Sequence, residues 1–186
     1  TCIVPILFAS CALPAKQSQP WRGVHILMTT QDKTAQLTEA IGGLADLGIN
    51  VIIAEVDYGY EYQSHPQLRA DNPSKKEQIK KLVAECRAHH IRLIPQFQCL
   101  GHQSWSKHNA PLLARYPQFD ETPGQYPGND GIYCRSWCPL HPEINRVVFD
   151  LMDELIDAFA LDAFHVGMDE VLLIGEDACP RCKGKD

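Results

Sequence analysis

The chain has 186 residues, 45% of them hydrophobic and 22% charged, with 23 acidic against 17 basic residues and a net charge of −6. That balance suits a soluble globular domain with a sizeable core, and excludes a disordered, collagen-like or coiled-coil chain. Lysine and arginine are scattered apart from a short run after Ser74. The basic face that a nucleic acid requires is missing, so no nucleic-acid partner is expected.

Residues 1–20 read as a signal-peptide remnant and linker. The apolar run Cys2 to Leu13 is too short to span a bilayer and is followed by small residues. Phe8-Ala9-Ser10-Cys11 resembles a lipoprotein processing site with Cys11 as the lipidated residue; ordinary signal cleavage and a buried first strand are the other readings. Export follows from the first two: a periplasmic, cell-surface or secreted protein.

From residue 21 onward strand and helix signals alternate. Gly23 to Met28 is a first strand, and Asp32 to Leu47 a helix with Leu37, Ile41 and Leu44 at helical spacing and Gly48 as its stop. Asn50 to Val56 is nearly continuous in apolar residues, as a strand covered on both faces should be. Ser74-Lys75-Lys76-Glu77 has the pattern of a capping box opening a second helix. Ile91 to Phe97 is a third strand. Pro142 is placed to begin a third helix with a stripe from Ile144 to Phe159, and Ala163 to Gly167 is a fourth strand.

This alternation predicts a parallel sheet with helices outside it. No glycine-rich phosphate loop follows any strand, whereas polar and aromatic residues gather after each one: Asp57-Tyr58, His102 with Trp105, and Asp169-Glu170. Catalytic groups at the C-terminal ends of different strands are the habit of the (β/α)8 TIM barrel. A whole barrel takes about 250 residues, so residues 21–186 are read as its N-terminal half, with about four strand–helix units. The long Pro-, Gly-, Tyr- and Trp-rich stretch from Gln98 to His141 has the character of a functional loop.

The sharpest feature is His165-Val166-Gly167-Met168-Asp169-Glu170. Adjacent carboxylates on a regular strand point to opposite faces, but Gly167 allows the backbone to turn so that both approach one ligand. Apolar surroundings and mutual charge would raise the pKa of one and leave the other ionised, the condition glycoside cleavage asks for. An Asp-Glu pair after a strand equally suits a helix N-terminus.

His165-Val166-Gly167-Met168-Asp169-Glu170-Val171 resembles the H-x-G-G-D-E-V signature of glycoside hydrolase family 20, the β-N-acetylhexosaminidases. Pro95 to His102 sits where that family has P-E-x-D-x-P-G-H. Asn50 through Tyr62 to His65-Pro66, and Ile174-Gly175-Glu176, resemble its hexosaminidase D branch. The likeness runs from about Arg22 to Glu176. It implies a retaining exo-hydrolase without cofactor, acting on carbohydrate with a terminal N-acetylhexosamine. The substrate's own acetamido oxygen is then the nucleophile, Asp169 orients the acetamido group, and Glu170 is general acid and base. His102 would act on Glu170 through a carboxylate such as Asp57 or Glu55. His165 belongs to the same motif, and Trp105 either stacks on a sugar or closes a small loop core. Several positions depart from the family pattern: Met168 for the second glycine, Gln96 and Gln98 for acids, Tyr58 for the acid ending the second-strand motif, and Thr29-Thr30-Gln31 where an arginine grips sugar hydroxyls. A sugar-binding protein on the same barrel and a glycosidase with its own carboxylate nucleophile are the alternatives.

Of the 8 cysteines, Cys134, Cys138, Cys179 and Cys182 form two close pairs on loops expected at one end of the barrel. Two disulfides and a structural zinc are both compatible with that spacing. The hydrolase chemistry requires no metal.

Overall fold

A computed structural model describes residues 20–105, 108–125 and 134–185. Residues 1–19, and with them the leader and Cys11, lie outside the described residues. In chain order the elements are β1 (Gly23–Leu27), α1 (Gln31–Asp46), β2 (Val51–Glu55), α2 (Lys76–Ala88), β3 (Arg92–Cys99), β4 (Ser104–Trp105), β5 (His108–Asn109), α3 (Pro111–Arg115), α4 (Ile144–Phe159) and β6 (His165–Gly167). Single 3-10 turns occur at Pro66–Leu68 and Pro117–Phe119.

The main sheet is parallel in the order β1-β2-β3-β6, so each successive strand joins the edge of the one before it. Strands laid down in chain order with helical crossovers are the repeating unit of a barrel, here a partial one. Glu55 pairs with Gln96 and Gln96 with His165, which lines up one row of residues across three strands.

Side chains alternate between the two faces of the sheet along each strand. Toward the helices, Ile52, Ala54, Val56, Leu93 and Phe97 join a buried core with Ile41 of α1, Leu82 of α2 and Leu151 of α4. The alternate positions begin apolar, with Val51, Ile53 and Ile94, and become polar toward the C-terminal ends of the strands, where Glu55, Gln96 and Gln98 bond to one another.

Helix boundaries follow local chemistry. Thr30 caps α1 by accepting the Lys33 amide at its Oγ1, and Gly48 takes a positive φ of 83° just past its end. The cap of α2 falls one residue later than the sequence pattern suggests: Gln78 Oε1 accepts the Lys75 amide at 2.9 Å. Ser74 is instead buried, its hydroxyl 2.7 Å from that of Thr34 on α1. That tertiary bond between α1 and the start of α2 wins over the local cap. Pro142 lies in the turn before α4 rather than opening it, since the helix begins at Ile144 behind Glu143. The fourth strand is shorter than expected, three residues against five. Among the described residues it pairs with β3 alone, through a register shift between Gln96 and Cys99.

Candidate active site

The end of β6 turns sharply. Gly167, Met168 and Glu170 all have positive φ, at 64°, 72° and 49°. A side chain at Gly167 meets a second obstacle besides the positive φ, because a Cβ there would lie 2.1 Å from Gln98 Oε1 and 3.0 Å from the Gln98 Cα, so Gln98 would have to move. Gly101 allows an equally close approach from the β3 side: a Cβ would meet the carbonyl oxygens of Asp169 and Glu170 at 3.2 and 3.3 Å. The two glycines together bring the β3 and β6 exits into contact.

The turn places both carboxylates beside one imidazole. His102 Nε2 lies 3.2 Å from Glu170 Oε2 and 3.5 Å from Asp169 Oδ2. His102 is mostly buried, whereas Asp169 and Glu170 are more than half exposed and stand open to a ligand. A second line of polar groups reaches Asp169 along the sheet. His25 Nε2 is 3.0 Å from Glu55 Oε2, and Gln96 Nε2 donates to Glu55 Oε2 at 3.0 Å and to Gln98 Oε1 at 2.9 Å. Gln98 Nε2 in turn donates to Asp169 Oδ1. The Gln98 hydrogen bond, above all, holds the Asp169 carboxyl below its ordinary range, with the His102 charge a smaller contributor.

Asp169 is thus held low, and the strongly raised carboxyl is Asp57. Burial, and after it the Glu55 charge, pushes Asp57 up to about 8. Its Oδ1 accepts the backbone amide of Gln98 at 2.7 Å, and its φ of 45° is one that Asp and Asn tolerate. Asp57 and Glu55 therefore reach the carboxylate pair through Gln98 and Gln96, while His102 meets Asp169 and Glu170 themselves. His165 is exposed, and its Nδ1 accepts the Gly167 amide at 3.0 Å, bracing the turn. Trp105 stands on β4 opposite His108 and is 65% exposed. Met168 lines an apolar groove with Trp137, Phe149 and Val166.

The pH dependence of stability follows from Asp57. An unfolded carboxyl ionises near 3.8 and the folded one near 8, so the folded state holds the extra proton between them. Stability accordingly falls as pH rises through that window. Asp57→Asn, which keeps an acceptor for Gln98, is expected to raise the melting temperature relative to wild type more at pH 8 than at pH 5. An equal difference at both values would contradict the assignment.

The cysteine grouping differs from the expected set. Cys138, Cys179 and Cys182 are buried together, but the fourth member is Glu121. Cys134 does not join them; its thiol donates to the Glu170 carbonyl oxygen at 3.4 Å. Neither Glu121 nor the Gln96–Gln98 relay is legible in the sequence. The relay residues were visible only as replacements of acids in a motif, and Glu121 lies in a long loop without periodic signal.

Comparison with known proteins places this arrangement. Residues 56–185 match the model of the glycosyl hydrolase family 20 catalytic domain. A beta-hexosaminidase of Akkermansia muciniphila is 32% identical over 114 residues, covering 58% of this chain and 21% of that protein. A beta-hexosaminidase of Emericella nidulans is 26% identical over 162 residues, covering 73% of this chain and 24% of its own. The chain thus spans less than a quarter of the length of these two relatives. Among solved structures, the Flavobacterium johnsoniae chitobiase superposes with a TM-score of 0.70 at 24% identity, over 88% of this chain and 26% of its own. The β-N-acetylhexosaminidase of Bacteroides fragilis gives 0.65 at 17% identity, over 88% and 34%. The fold is part of an α/β barrel. The chain belongs to glycosyl hydrolase family 20, as part of its catalytic domain.

Proposed function

We propose that the protein is a retaining exo-β-N-acetylhexosaminidase that releases terminal N-acetylglucosamine or N-acetylgalactosamine by substrate-assisted hydrolysis. The observation that carries this reading is the convergence of Asp169 and Glu170 on His102 at the end of β6. In the first step the acetamido oxygen attacks the anomeric carbon while Glu170 gives its proton to the departing glycosidic oxygen. Asp169, held ionised by Gln98, accepts the acetamido N–H and stabilises the positive charge of the forming oxazolinium. In the second step the Glu170 carboxylate takes a proton from water, which opens the ring at the same carbon and restores the configuration. Attack from within the substrate is effective because the nucleophile is already held near its target.

Asp57 is a poor candidate for an enzymic nucleophile, because a carboxyl pushed up to about 8 is largely protonated at neutral pH. Export, with or without lipidation at Cys11, joins this proposal on the sequence of residues 1–20 alone.

The test is hydrolysis of aryl β-N-acetylglucosaminide, aryl β-N-acetylgalactosaminide and aryl β-glucoside by the full-length protein. Cleavage confined to the acetamido sugars is the expected result. Glucoside cleavage would indicate an enzymic nucleophile, and binding of N-acetylglucosamine without cleavage of any substrate would indicate a sugar-binding protein.

A further inference from the structure

Three thiols and a carboxylate converge away from the candidate active site. The Sγ atoms of Cys138, Cys179 and Cys182 and a carboxylate oxygen of Glu121 all lie within 4.8 Å of one another, and all four residues are buried. They come from three separate segments: Glu121 just after the 3-10 turn at Pro117–Phe119, Cys138 ahead of α4, and the Cys179-Pro180-Arg181-Cys182 turn beyond β6. Backbone bonds fix each one. Cys138 donates its amide to the Phe119 carbonyl at 2.6 Å, and the amides of Cys182 and Lys183 both donate to the Cys179 carbonyl, at 3.2 and 3.0 Å.

The spacing bears on the two readings that the sequence leaves open. Cys138 Sγ and Cys182 Sγ are 3.5 Å apart. A disulfide requires about 2.05 Å. Two thiolates on one tetrahedral zinc, each about 2.3 Å from the metal, stand roughly 3.8 Å apart. The observed separation is near the second value and far from the first. A pair of disulfides also needs a fourth cysteine, and that place is taken by a carboxylate. The two oxygens of Glu121 are already divided in the way a monodentate ligand requires. Oε1 accepts the Glu176 amide at 3.0 Å, while Oε2 receives the Cys182 thiol at 3.4 Å, in the position where a metal would replace the proton.

We propose that Glu121, Cys138, Cys179 and Cys182 bind a structural zinc ion. Four ligands of sulfur and oxygen type leave no open coordination position, which is the signature of a structural rather than a catalytic site. On binding, the three thiols release their protons to solvent and the metal takes their place. Four anionic ligands outweigh the charge of one zinc ion, and the basic residues Arg181, Lys183 and Lys185 adjoin the ligands in the chain. The segment from Met168 to Asp177, which includes Asp169 and Glu170, runs between β6 and this clamp without regular structure. The metal therefore fixes the far end of the segment whose near end is fixed by Gly167. Only this last consequence rests on the proposed hydrolase function; the metal site stands without it.

The test is metal analysis of the full-length protein, purified under reducing conditions without chelator, together with thiol titration and intact mass. The expected result is one zinc per chain, lost in Cys179→Ser and in Cys182→Ser but retained in Cys134→Ser. Replacing the zinc with cobalt in the wild-type protein should give the intense visible absorption of a tetrahedral thiolate site, a readout independent of whether the cysteine variants fold. A metal-free wild-type protein with titratable thiols at these positions would overturn the proposal. So would a mass lower by two hydrogens that maps to a Cys138–Cys182 disulfide, or loss of zinc in Cys134→Ser. Catalytic assays enter none of these outcomes, so the metal site and the hydrolase function can fail separately.

Discussion

Glu170→Gln is expected to lower kcat for an aryl β-N-acetylglucosaminide by about 10²- to 10⁴-fold, the range associated with loss of a positioned general acid and base. The amide keeps the shape of the side chain and its place beside His102, so the loss reports proton transfer and not packing. Asp169→Asn should fall in a similar range by a different route, since it removes the charge that faces the developing oxazolinium while leaving the Glu170 proton in place. The two residues act on one transition state and share His102, so the double variant should be scarcely worse than the poorer single variant. Both side chains are more than half exposed, and neither substitution should shift the unfolding midpoint by much. Steady-state kinetics beside denaturant unfolding would check this, and independent, multiplying losses would contradict the shared role.

Arg135→Met is expected to destabilise the fold by about 3–5 kcal/mol, the cost of leaving a buried charge without its partner. Arg135 is completely buried and Asp120 nearly so. Arg135 Nη1 donates to Asp120 Oδ2 at 2.8 Å and to the Thr122 hydroxyl and carbonyl at 2.9 and 3.2 Å, while the Thr122 amide donates to Asp120 Oδ1 at 2.9 Å. This ion pair crosses the same two segments that carry Glu121 and Cys138, and the Asp120–Trp137 bridge joins them again through the backbone. Part of the loss should be recovered in the Arg135→Met, Asp120→Leu double variant, because no buried charge is then left unpaired, while the Thr122 amide and hydroxyl still lose their acceptor. Urea unfolding of the single and double variants measures this directly. A change below about 1 kcal/mol in the single variant would contradict a structural role for Arg135.

The parts of the fold that were legible in the sequence are those governed by periodicity. The apolar run through Val51 and Val56 and the stripe from Ile144 to Phe159 report burial directly, and both elements stand where expected. Features decided by tertiary contact were not legible. Ser74 has the local pattern of a cap, yet a hydroxyl on α1 claims it, and nothing near Ser74 in sequence announces Thr34. At the site, the Asp169-Glu170 turn could be inferred from Gly167 because positive φ is a local property. The relay from Glu55 through Gln96 and Gln98 depends on strand register, which sets three polar residues side by side only once the sheet is assembled. Glu121 illustrates the same limit more strongly. A lone glutamate in a long loop carries no sign that three cysteines will close around it.

The central claim, that the substrate's own acetamido oxygen attacks while Asp169 and Glu170 assist, can be tested by varying that oxygen. Aryl β-glucosaminides bearing acetyl, fluoroacetyl, difluoroacetyl and trifluoroacetyl groups on the nitrogen differ little in size, while the amide oxygen becomes steadily less nucleophilic. kcat/KM is expected to fall steeply and continuously along this series in the full-length protein. A flat response, with the trifluoroacetyl substrate cleaved nearly as fast as the acetyl one, would show that the nucleophile belongs to the protein and would contradict the assignment of Asp169.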